Sequence, residues 1–346
     1  MSTSPGTSAP ATVQTVRGPI GVDELGVTLS HEHLFVLSSE FQHNYPSLWD
    51  RESGARTAAE QLELAYELGV RTVVDMTVIG QGRDIGLVQQ VAARTRVNLL
   101  VATGIYAAGG LPPFLRFRGP GCAIEVPDPL VDLLEQDITE GIGGTGIRAA
   151  LLKFAVEDGV PDRDATRTAA AVAEVHSRTG VPIVVHSNPF EGNGLALVEL
   201  LTGLGVAAER VVVAHAGDSA DASYLHRLAE TGCFIGFDRF GMEDLAPDPQ
   251  RVRMIADLVA RGHAGQLLLS QDCASHIDYV TVEQRHALYP RWSYTELHTR
   301  VFDDLAAAGV APEIVTSLMV DNPRRMLTPG LAAGAASPRE VAGVGR

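Results

Sequence analysis

The segments Val181-Pro-Ile-Val-Val-His186 and Arg210-Val-Val-Val-Ala-His215 decide the fold of this chain. Each is apolar between its ends, which is typical of a strand that is covered on both faces of a parallel sheet. A helical pattern lies between them at residues 195–204 and ends at Gly205, and glycine commonly follows the last turn of a helix. The two segments therefore predict a β-α-β unit whose strands both lead into a histidine.

The same unit repeats along the chain. Strands are predicted at residues 26–30, 71–76, 97–103, 148–154, 181–185, 210–214, 233–237 and 266–270. Helices are predicted at residues 57–68, 84–95, 129–140, 165–179, 195–204, 220–230 and 249–261, with a last helical region at 294–308 and 312–319. Eight β-then-α units without an internal linker favour a (β/α)8 TIM barrel. The alternative is a doubly wound open sheet, but no Gly-x-Gly-x-x-Gly turn follows an early strand to support it.

Composition limits the classes of partner. The chain has 346 residues, 45% of them hydrophobic, and a formal net charge of −15. Nucleic acid and anionic membranes attract positive surfaces, so we expect neither as a partner. No apolar run is long enough to span a bilayer. The three cysteines are scattered and form no disulfide framework or zinc-like pair, and we expect a cytoplasmic protein.

Two low-complexity ends flank the predicted barrel. Residues 2–12 are rich in Ser, Thr, Pro and Ala and lack the basic and apolar regions of a secretory signal. Residues from about 330 onward are rich in Ala and Gly. We therefore expect a disordered tail at residues 1–14, a single barrel domain at 15–328 and a flexible tail at 329–346.

Lys153 is the single lysine of the chain, and it lies in the apolar run Ala149-Ala150-Leu151-Leu152-Lys153-Phe154. Arginine can replace lysine in surface ion pairs, but a guanidinium stays protonated whereas a buried ammonium can lose its proton. Lys153 is therefore a candidate for chemistry that needs a neutral amine. The presence of a single lysine is explained equally well if the composition of the chain is depleted in lysine and Lys153 simply remains.

Polar side chains follow five of the eight predicted strands. They are His31 and His33 after the first strand, Lys153 in the fourth, His186 after the fifth, His215 after the sixth and Asp272 after the eighth. In a TIM barrel the carboxyl ends of the strands form the active-site mouth, so these side chains should converge. Each one alone is weak evidence. Together, imidazoles and a carboxylate suit a divalent metal, and a neutral lysine that adds CO2 becomes a carbamate that can bridge two ions.

Residues 17–327 resemble the phosphotriesterase family of the amidohydrolase superfamily. The motifs that carry the resemblance are Gly26-Val-Thr-Leu-Ser-His31-Glu-His33, Val74-Asp75-Met-Thr-Val-Ile-Gly80-Gln-Gly-Arg83-Asp84, Lys153, His186, Ala214-His215-Ala-Gly-Asp218, Ser270-Gln-Asp272 and Asp321-Asn-Pro-Arg-Arg325. The resemblance implies one metal ion held by His31, His33 and Asp272 and a second held by His186 and His215. Carboxylated Lys153 and a hydroxide would bridge the ions, and Asp272 would act as general base. Zinc is our first expectation, with cobalt, manganese and iron as alternatives.

Two further motifs resemble the lactonase branch of this family. They are Gly104-Ile-Tyr106 and Gly236-Phe-Asp-Arg239-Phe-Gly241. The resemblance implies that Tyr106 leans over the metals and bonds a substrate oxygen, and that Asp218 and Arg239 orient Asp272 and relay charge. The alternatives are a packing tyrosine and an ordinary ion pair.

Two loops do not map onto a known substrate pocket. Loop 7 (residues 242–250) and loop 8 (residues 273–292) hold polar and aromatic residues of unassigned role, and Trp292 fits either the pocket or the core. In the loop after the fifth strand, the family often has a second histidine two residues after His186, where this chain has Asn188.

The resemblance implies a hydrolase that opens lactones, either N-acyl-homoserine lactones or simpler γ- and δ-lactones, with slower phosphotriester hydrolysis. The alternatives are a dedicated phosphotriesterase, a hydrolase of another ester or N-acyl amide, and a barrel that binds metal or ligand without turnover. We expect a homodimer, as in many relatives.

Overall fold

The computed structural model describes residues 11–107 and 109–330. A two-stranded antiparallel hairpin, β1 (Thr12–Thr15) and β2 (Gly18–Gly21), precedes the barrel. The barrel strands are β3 (Val27–Val36), β4 (Val70–Asp75), β5 (Asn98–Ile105), β6 (Leu151–Ala155), β7 (Ile183–His186), β8 (Val211–Ala214), β9 (Phe234–Phe237), β10 (Leu267–Leu269) and β11 (Ala274–Ile277). All nine belong to one parallel sheet in which β3 to β10 follow the chain order and β11 pairs with β3. The predicted TIM barrel is confirmed, and each of the eight predicted strands is present.

The ring closes where the last strand is interrupted. β10 and β11 are two short segments separated by residues 270–273. The amide of Asp272 donates to the carbonyl of His31 at 3.0 Å, and the amide of His33 donates to the carbonyl of Cys273 at 2.8 Å. Residues of this interruption therefore hydrogen-bond to the first barrel strand, and Asp272 lies at the seam of the barrel.

Glu32 stabilises the same seam from the opposite face of β3. Its fully buried carboxylate accepts hydrogen bonds from Ser270 Oγ at 2.6 Å and from the amides of Gln271 at 2.9 Å and Cys273 at 2.7 Å. The alternation of side chains along a strand explains why Glu32 faces away from its histidine neighbours.

Helices follow the barrel strands, and most of them pack on the outside of the barrel. They are α1 (Ser39–Asn44), α2 (Arg51–Glu67), α3 (Ile85–Ala92), α4 (Pro113–Arg116), α5 (Pro129–Thr139), α6 (Arg163–Thr179), α7 (Gly194–Gly203), α8 (Ala222–Glu230), α9 (Asp248–Ala260), α10 (Val282–Leu288), α11 (Phe302–Ala307), α12 (Pro312–Met319) and α13 (Asp321–Leu327). A π-helical turn, Leu297–Val301, leads into α11. An aspartate caps the first turn of α2, α3, α5, α6 and α8 by accepting from a backbone amide. None of the helices in the described ranges is long and apolar enough to cross a membrane.

The predicted N-terminal tail was wrong over its last residues. Thr12–Thr15 forms a strand, and Val13 is buried against the bottom of the barrel. Arg17, just after this strand, donates to the carbonyls of Ala92 at 2.8 Å and Thr95 at 2.9 Å at the end of α3. Residues 1–10 of the predicted first tail and residues 331–346 of the predicted second tail lie outside the described residues.

Candidate active site

The predicted site residues converge at the carboxyl ends of the barrel strands. His31 and His33 belong to β3, Lys153 to β6 and His186 to β7, while His215 directly follows β8 and Asp272 lies between β10 and β11. The four histidines and Lys153 are buried, and Lys153 is only 1% exposed. A lysine at this depth needs a specific partner or a change of charge, because an isolated buried ammonium is costly.

Two of these residues have an unusual backbone conformation. Among the described non-glycine residues, only His215 (φ 66°) and Asp272 (φ 52°) have a positive φ. Such a conformation costs free energy and persists where the surrounding fold imposes it, often at functional sites. The backbone thus turns sharply at the two strand ends from which these side chains enter the mouth.

Asp272 Oδ1 lies between two of the histidines. It is 3.3 Å from His33 Nε2 and 3.5 Å from His31 Nε2, and Lys153 Nζ is 3.4 Å from the same nitrogen of His31. His31, His215 and Asp272 each offer a ligand atom, and these atoms lie within 4.8 Å of one another. This spacing is compatible with a shared cation.

His186 Nδ1 and His215 Nε2 face each other at 2.9 Å. The other nitrogen of each ring lies beside a carboxylate, with His186 Nε2 at 3.1 Å from Glu157 Oε1 and His215 Nδ1 at 2.8 Å from Asp238 Oδ1. A carboxylate can only accept, so each outer nitrogen carries the hydrogen and each inner nitrogen presents a lone pair. Two lone pairs at this distance repel unless a cation lies between them, so the residues fit a metal ion.

The other two histidines are oriented in the same way. His33 Nδ1 lies 2.8 Å from Thr77 Oγ1, and this hydroxyl donates to Asp75 Oδ1 at 2.6 Å. His31 Nδ1 lies 3.2 Å from Asp238 Oδ2. His33, His186 and His215 therefore have an acceptor on the outside, whereas His31 Nδ1 lies beside Asp238 without forming a hydrogen bond. All four rings turn the remaining nitrogen toward the mouth, as metal-binding histidines commonly do.

Burial favours the neutral form of three of the imidazoles and of the lysine. Burial, helped by the charge of Lys153, lowers the pKa of His33 to about 4, and burial also lowers the pKa of His186 and of His215. Burial lowers the pKa of Lys153 to about 8, although the nearby carboxylates oppose this shift. Neutral imidazole is the form that binds a metal, and a lysine with a lowered pKa can supply a neutral amine near neutral pH.

Asp218 and Arg239, which were predicted to assist Asp272, and Tyr106, which was predicted to bond a substrate oxygen, all lie beside the cluster. Arg239 Nε donates to Asp272 Oδ2 at 3.2 Å, and Arg239 Nη1 donates to Asp218 Oδ2 at 3.5 Å. Tyr106 follows β5, its ring packs edge-on against His186 at 5.4 Å between centroids, and its hydroxyl donates to Glu157. Trp292 is mostly buried and donates to the carbonyl of Gln271 at 2.8 Å, so it supports the segment before Asp272.

Sequence reasoning assigned no role to Asp238, Glu157, Asp75 and Thr77, which orient the histidines. Asp238 directly follows β9 and Asp75 is the last residue of β4, so the positional signal that identified the other residues was present. Glu157 lies two residues beyond β6, on a loop, and its contact with His186 depends on a path that sequence periodicity does not predict.

Comparison with known proteins gives a consistent result over almost the whole chain. The sequence model of the phosphotriesterase family matches residues 11–327. A Mycobacterium tuberculosis protein named phosphotriesterase homology protein is 38% identical over 315 residues, which are 91% of this chain and 97% of that protein. The aryldialkylphosphatase of Saccharolobus solfataricus is 33% identical over 88% of this chain and 96% of its own. The solved structure of the phosphotriesterase from Mycobacterium tuberculosis superposes with a TM-score of 0.90 at 38% identity and covers 92% of this chain and 98% of that chain.

Proposed function

This chain belongs to the phosphotriesterase family, and we propose that it is a metal-dependent hydrolase that opens lactones and hydrolyses phosphotriesters more slowly. The proposed substrates are N-acyl-homoserine lactones or simpler γ- and δ-lactones. The observation that carries the metal-dependent part is the inward orientation of four imidazole nitrogens around Lys153 and Asp272. The lactone assignment is supported by the position of Tyr106 next to His186.

Six side chains are available to hold two divalent ions. His31, His33 and Asp272 would bind one ion, His186 and His215 would bind the other, and carboxylated Lys153 would contact both. When bound, the ions would supply Lewis acidity and would make a water molecule acidic enough to attack at neutral pH. Zinc is proposed first, with cobalt, manganese and iron as alternatives, because this ligand set does not discriminate strongly among them.

Lys153 would become carboxylated when its amine adds to CO2. The neutral amine attacks the carbon of CO2, a nitrogen–carbon bond forms as one carbon–oxygen π bond breaks, and one amine proton passes to solvent water, which gives an anionic carbamate with two oxygens. The burial of Lys153 supports this step because it makes the neutral amine accessible. Arginine could not replace it, since a guanidinium does not lose its proton under these conditions.

Asp272 is the proposed general base. Its Oδ2 is bound by Arg239, so its Oδ1 faces the histidines and the attacking water. Asp272 would take the proton from this water and deliver it to the leaving alkoxide when the ring opens. Tyr106 would transfer its hydrogen bond from Glu157 to a substrate oxygen and stabilise the charge that develops there.

A phosphotriester is the second candidate substrate class, and the 33% identity to a protein named aryldialkylphosphatase favours it. Another ester or an N-acyl amide remains an alternative, as does a barrel that binds metal without turnover. We also propose that the protein is a homodimer, which light scattering after size-exclusion chromatography would test directly.

Steady-state kinetics on a substrate panel tests the proposal. The panel should contain N-acyl-homoserine lactones, γ- and δ-lactones, aryl phosphotriesters and N-acyl amino acids. We expect the highest kcat/KM on a lactone, loss of activity after chelation and recovery with added zinc. A higher kcat/KM on any other class would contradict the lactone assignment, and full activity after chelation or in Asp272→Asn would contradict the mechanism.

A further inference from the structure

We propose that Arg251, which lies in α9 outside the metal cluster, is a positioning residue for Asp272 and connects it to loops 7 and 8. This inference rests on the proposed function, in which Asp272 is the general base. A continuous row of ion pairs leads from Asp272 through the buried Arg251 to Arg300, in the π-helical turn before α11. The row contains Asp272, Arg239, Asp218, Arg251, Asp248, Arg300 and Glu296, so negative and positive groups alternate.

The inner part of the row fixes Arg239 through Asp218. Arg251 Nε and Nη2 lie 2.7 Å and 2.6 Å from Asp218 Oδ1, which leaves Asp218 Oδ2 for Arg239. Arg239 in turn donates to Asp272 Oδ2. The side chain of Arg251 is fully buried, so it has no solvent to replace a lost partner. The position of Arg239 over Asp272 therefore depends on Arg251.

The middle of the row fixes the backbone of loop 7. Arg251 Nη1 donates to Asp248 Oδ1 at 2.7 Å and to the carbonyl of Ala246 at 2.8 Å. The fully buried Asp248 also accepts from the amide of Gly241 at 3.2 Å and pairs with Arg300. Arg300 reaches the surface through Asp304 in α11, at 2.6 Å. Both ends of loop 7 are thus held by the pair of Arg251 and Asp248.

Loop 8 rests on loop 7. Tyr289 donates to Asp244 Oδ2 at 2.9 Å, and Arg291 pairs with Glu243. Gly241 has a φ of 90°, and a Cβ at this position would lie 3.0 Å from the carbonyl oxygen of Arg291. The two loops whose role the sequence left open are therefore packed together and attached to the row of ion pairs.

The row cannot act as a proton relay. Three of its members are arginines, and a guanidinium keeps its proton at any pH at which the fold survives. What the row can transmit is position, because a planar guanidinium binds two partners in a fixed geometry. A change in loop 7 or loop 8 when substrate binds would accordingly move Arg251, Asp218 and Arg239 together and change the orientation of Asp272. The competing explanation is that Arg251 only stabilises the fold.

A double-mutant cycle between Arg251 and Asp218 separates these explanations. Arg251→Met, Asp218→Asn and the double variant are compared for kcat, KM and metal content per chain. If Arg251 acts through Asp218, each single variant lowers kcat by about 10- to 100-fold with little change in KM, and the double variant is no slower than Asp218→Asn. The proposal would be overturned if the decrease in kcat of the double variant equals the product of the two single decreases. An unchanged kcat in Arg251→Met would also overturn it.

The matched control is Arg253→Met, since Arg253 lies on the same helix and is exposed. We expect its kcat to equal that of the wild type. If Arg251→Met does not fold, Arg251→Lys enters the same cycle and is judged by the same criterion, because it keeps the charge but loses the planar geometry.

A measurement without metal or turnover completes the test. In a crystal structure of metal-free Arg251→Lys we expect Arg239 to leave Asp272, whereas a retained separation near 3.2 Å between Arg239 Nε and Asp272 Oδ2 would contradict the proposal. Asp272→Asn distinguishes this inference from the proposed function. If Asp272→Asn is inactive and Arg251→Met fully active, only the positioning role is wrong; if Asp272→Asn is fully active, both are wrong.

Discussion

Glu157 Oε1 lies 3.1 Å from His186 Nε2, on the side of the ring away from His215. This contact holds the hydrogen of His186 on Nε2 and so leaves Nδ1 free to face the barrel mouth. Glu157 is the only acceptor that the described residues offer to this nitrogen, so the orientation of His186 as a metal ligand depends on a residue in a loop.

Removing Glu157 should weaken metal binding. We expect Glu157→Ala to lower metal affinity by about 10- to 100-fold, because His186 can then place its hydrogen on Nδ1. Glu157→Gln should lose less, since its carbonyl oxygen can still accept. Metal titration of the apoprotein by calorimetry measures the effect. Glu191→Gln, an exposed acidic residue on the neighbouring loop, is the control, and equal affinities in all variants would show that Glu157 has no such role.

Replacing Lys153 should abolish both bound metal and activity. Lys153→Ala removes the amine that would form the carbamate, and we expect elemental analysis to find less than one ion per chain. Added formate or propionate should restore part of the activity by occupying the vacated position with a small carboxylate. Lys153→Arg should not be active, although it keeps the positive charge. Full activity of either variant would refute the bridging role.

Tyr106→Phe should slow lactone opening without preventing substrate binding. The variant loses only the hydroxyl, so we expect kcat to fall by up to about 100-fold with a small change in KM. Metal content and thermal stability should equal those of the wild type, because Tyr106 lies beside the cluster and bonds Glu157 rather than a ligand histidine. An unchanged kcat on the best lactone would mean that Tyr106 serves packing alone.

Acid should destabilise the fold through His298, which lies in the π-helical turn before α11. Its Nδ1 is buried without a hydrogen-bond partner in the described ranges, and burial lowers the pKa of the ring to about 4. An unfolded histidine has a pKa of about 6.5. Between about pH 6.5 and pH 4 the unfolded chain therefore binds more protons than the folded chain. The contribution of neutral His298 to stability is therefore present above this window and is lost as pH falls through it.

Thermal unfolding at pH 7 and pH 5 measures this effect. We expect the Tm of His298→Leu to fall less between these two values than the Tm of the wild type. His286→Leu is the control, because His286 is exposed and should leave the pH dependence unchanged. If His298→Leu loses as many degrees as the wild type, the acid sensitivity arises elsewhere, for example in the buried histidines of the mouth.

The sequence predicted the barrel and its polar strand ends because both follow from local patterns. A buried parallel strand is a continuous apolar run, and the residue at its carboxyl end lies at the mouth of the barrel. This is why the amino-acid sequence alone was enough to place His186, His215 and Asp272 at the mouth. The hairpin strand Thr12–Thr15 was missed because its composition resembles that of a disordered tail.

Other features depend on long-range contacts that no local pattern contains. Glu157 and Arg251 acquire their roles from partners 29 and 33 positions away, on other barrel units. β11 was missed because its four residues are too short to show a period and pair with β3 only after the ring closes. The same holds for α10, which lies within loop 8.

Because Asp272 lies at the seam, activity should require that the whole barrel has closed. The proposed general base occupies the gap between two short strand segments and hydrogen-bonds across to His31, its neighbour in the metal cluster. A chain that has folded its first seven units but has not docked the eighth would therefore have most of its ligands and no base. Partly assembled molecules of this protein should therefore be inactive. During refolding, activity should return only after the last β-α unit has docked.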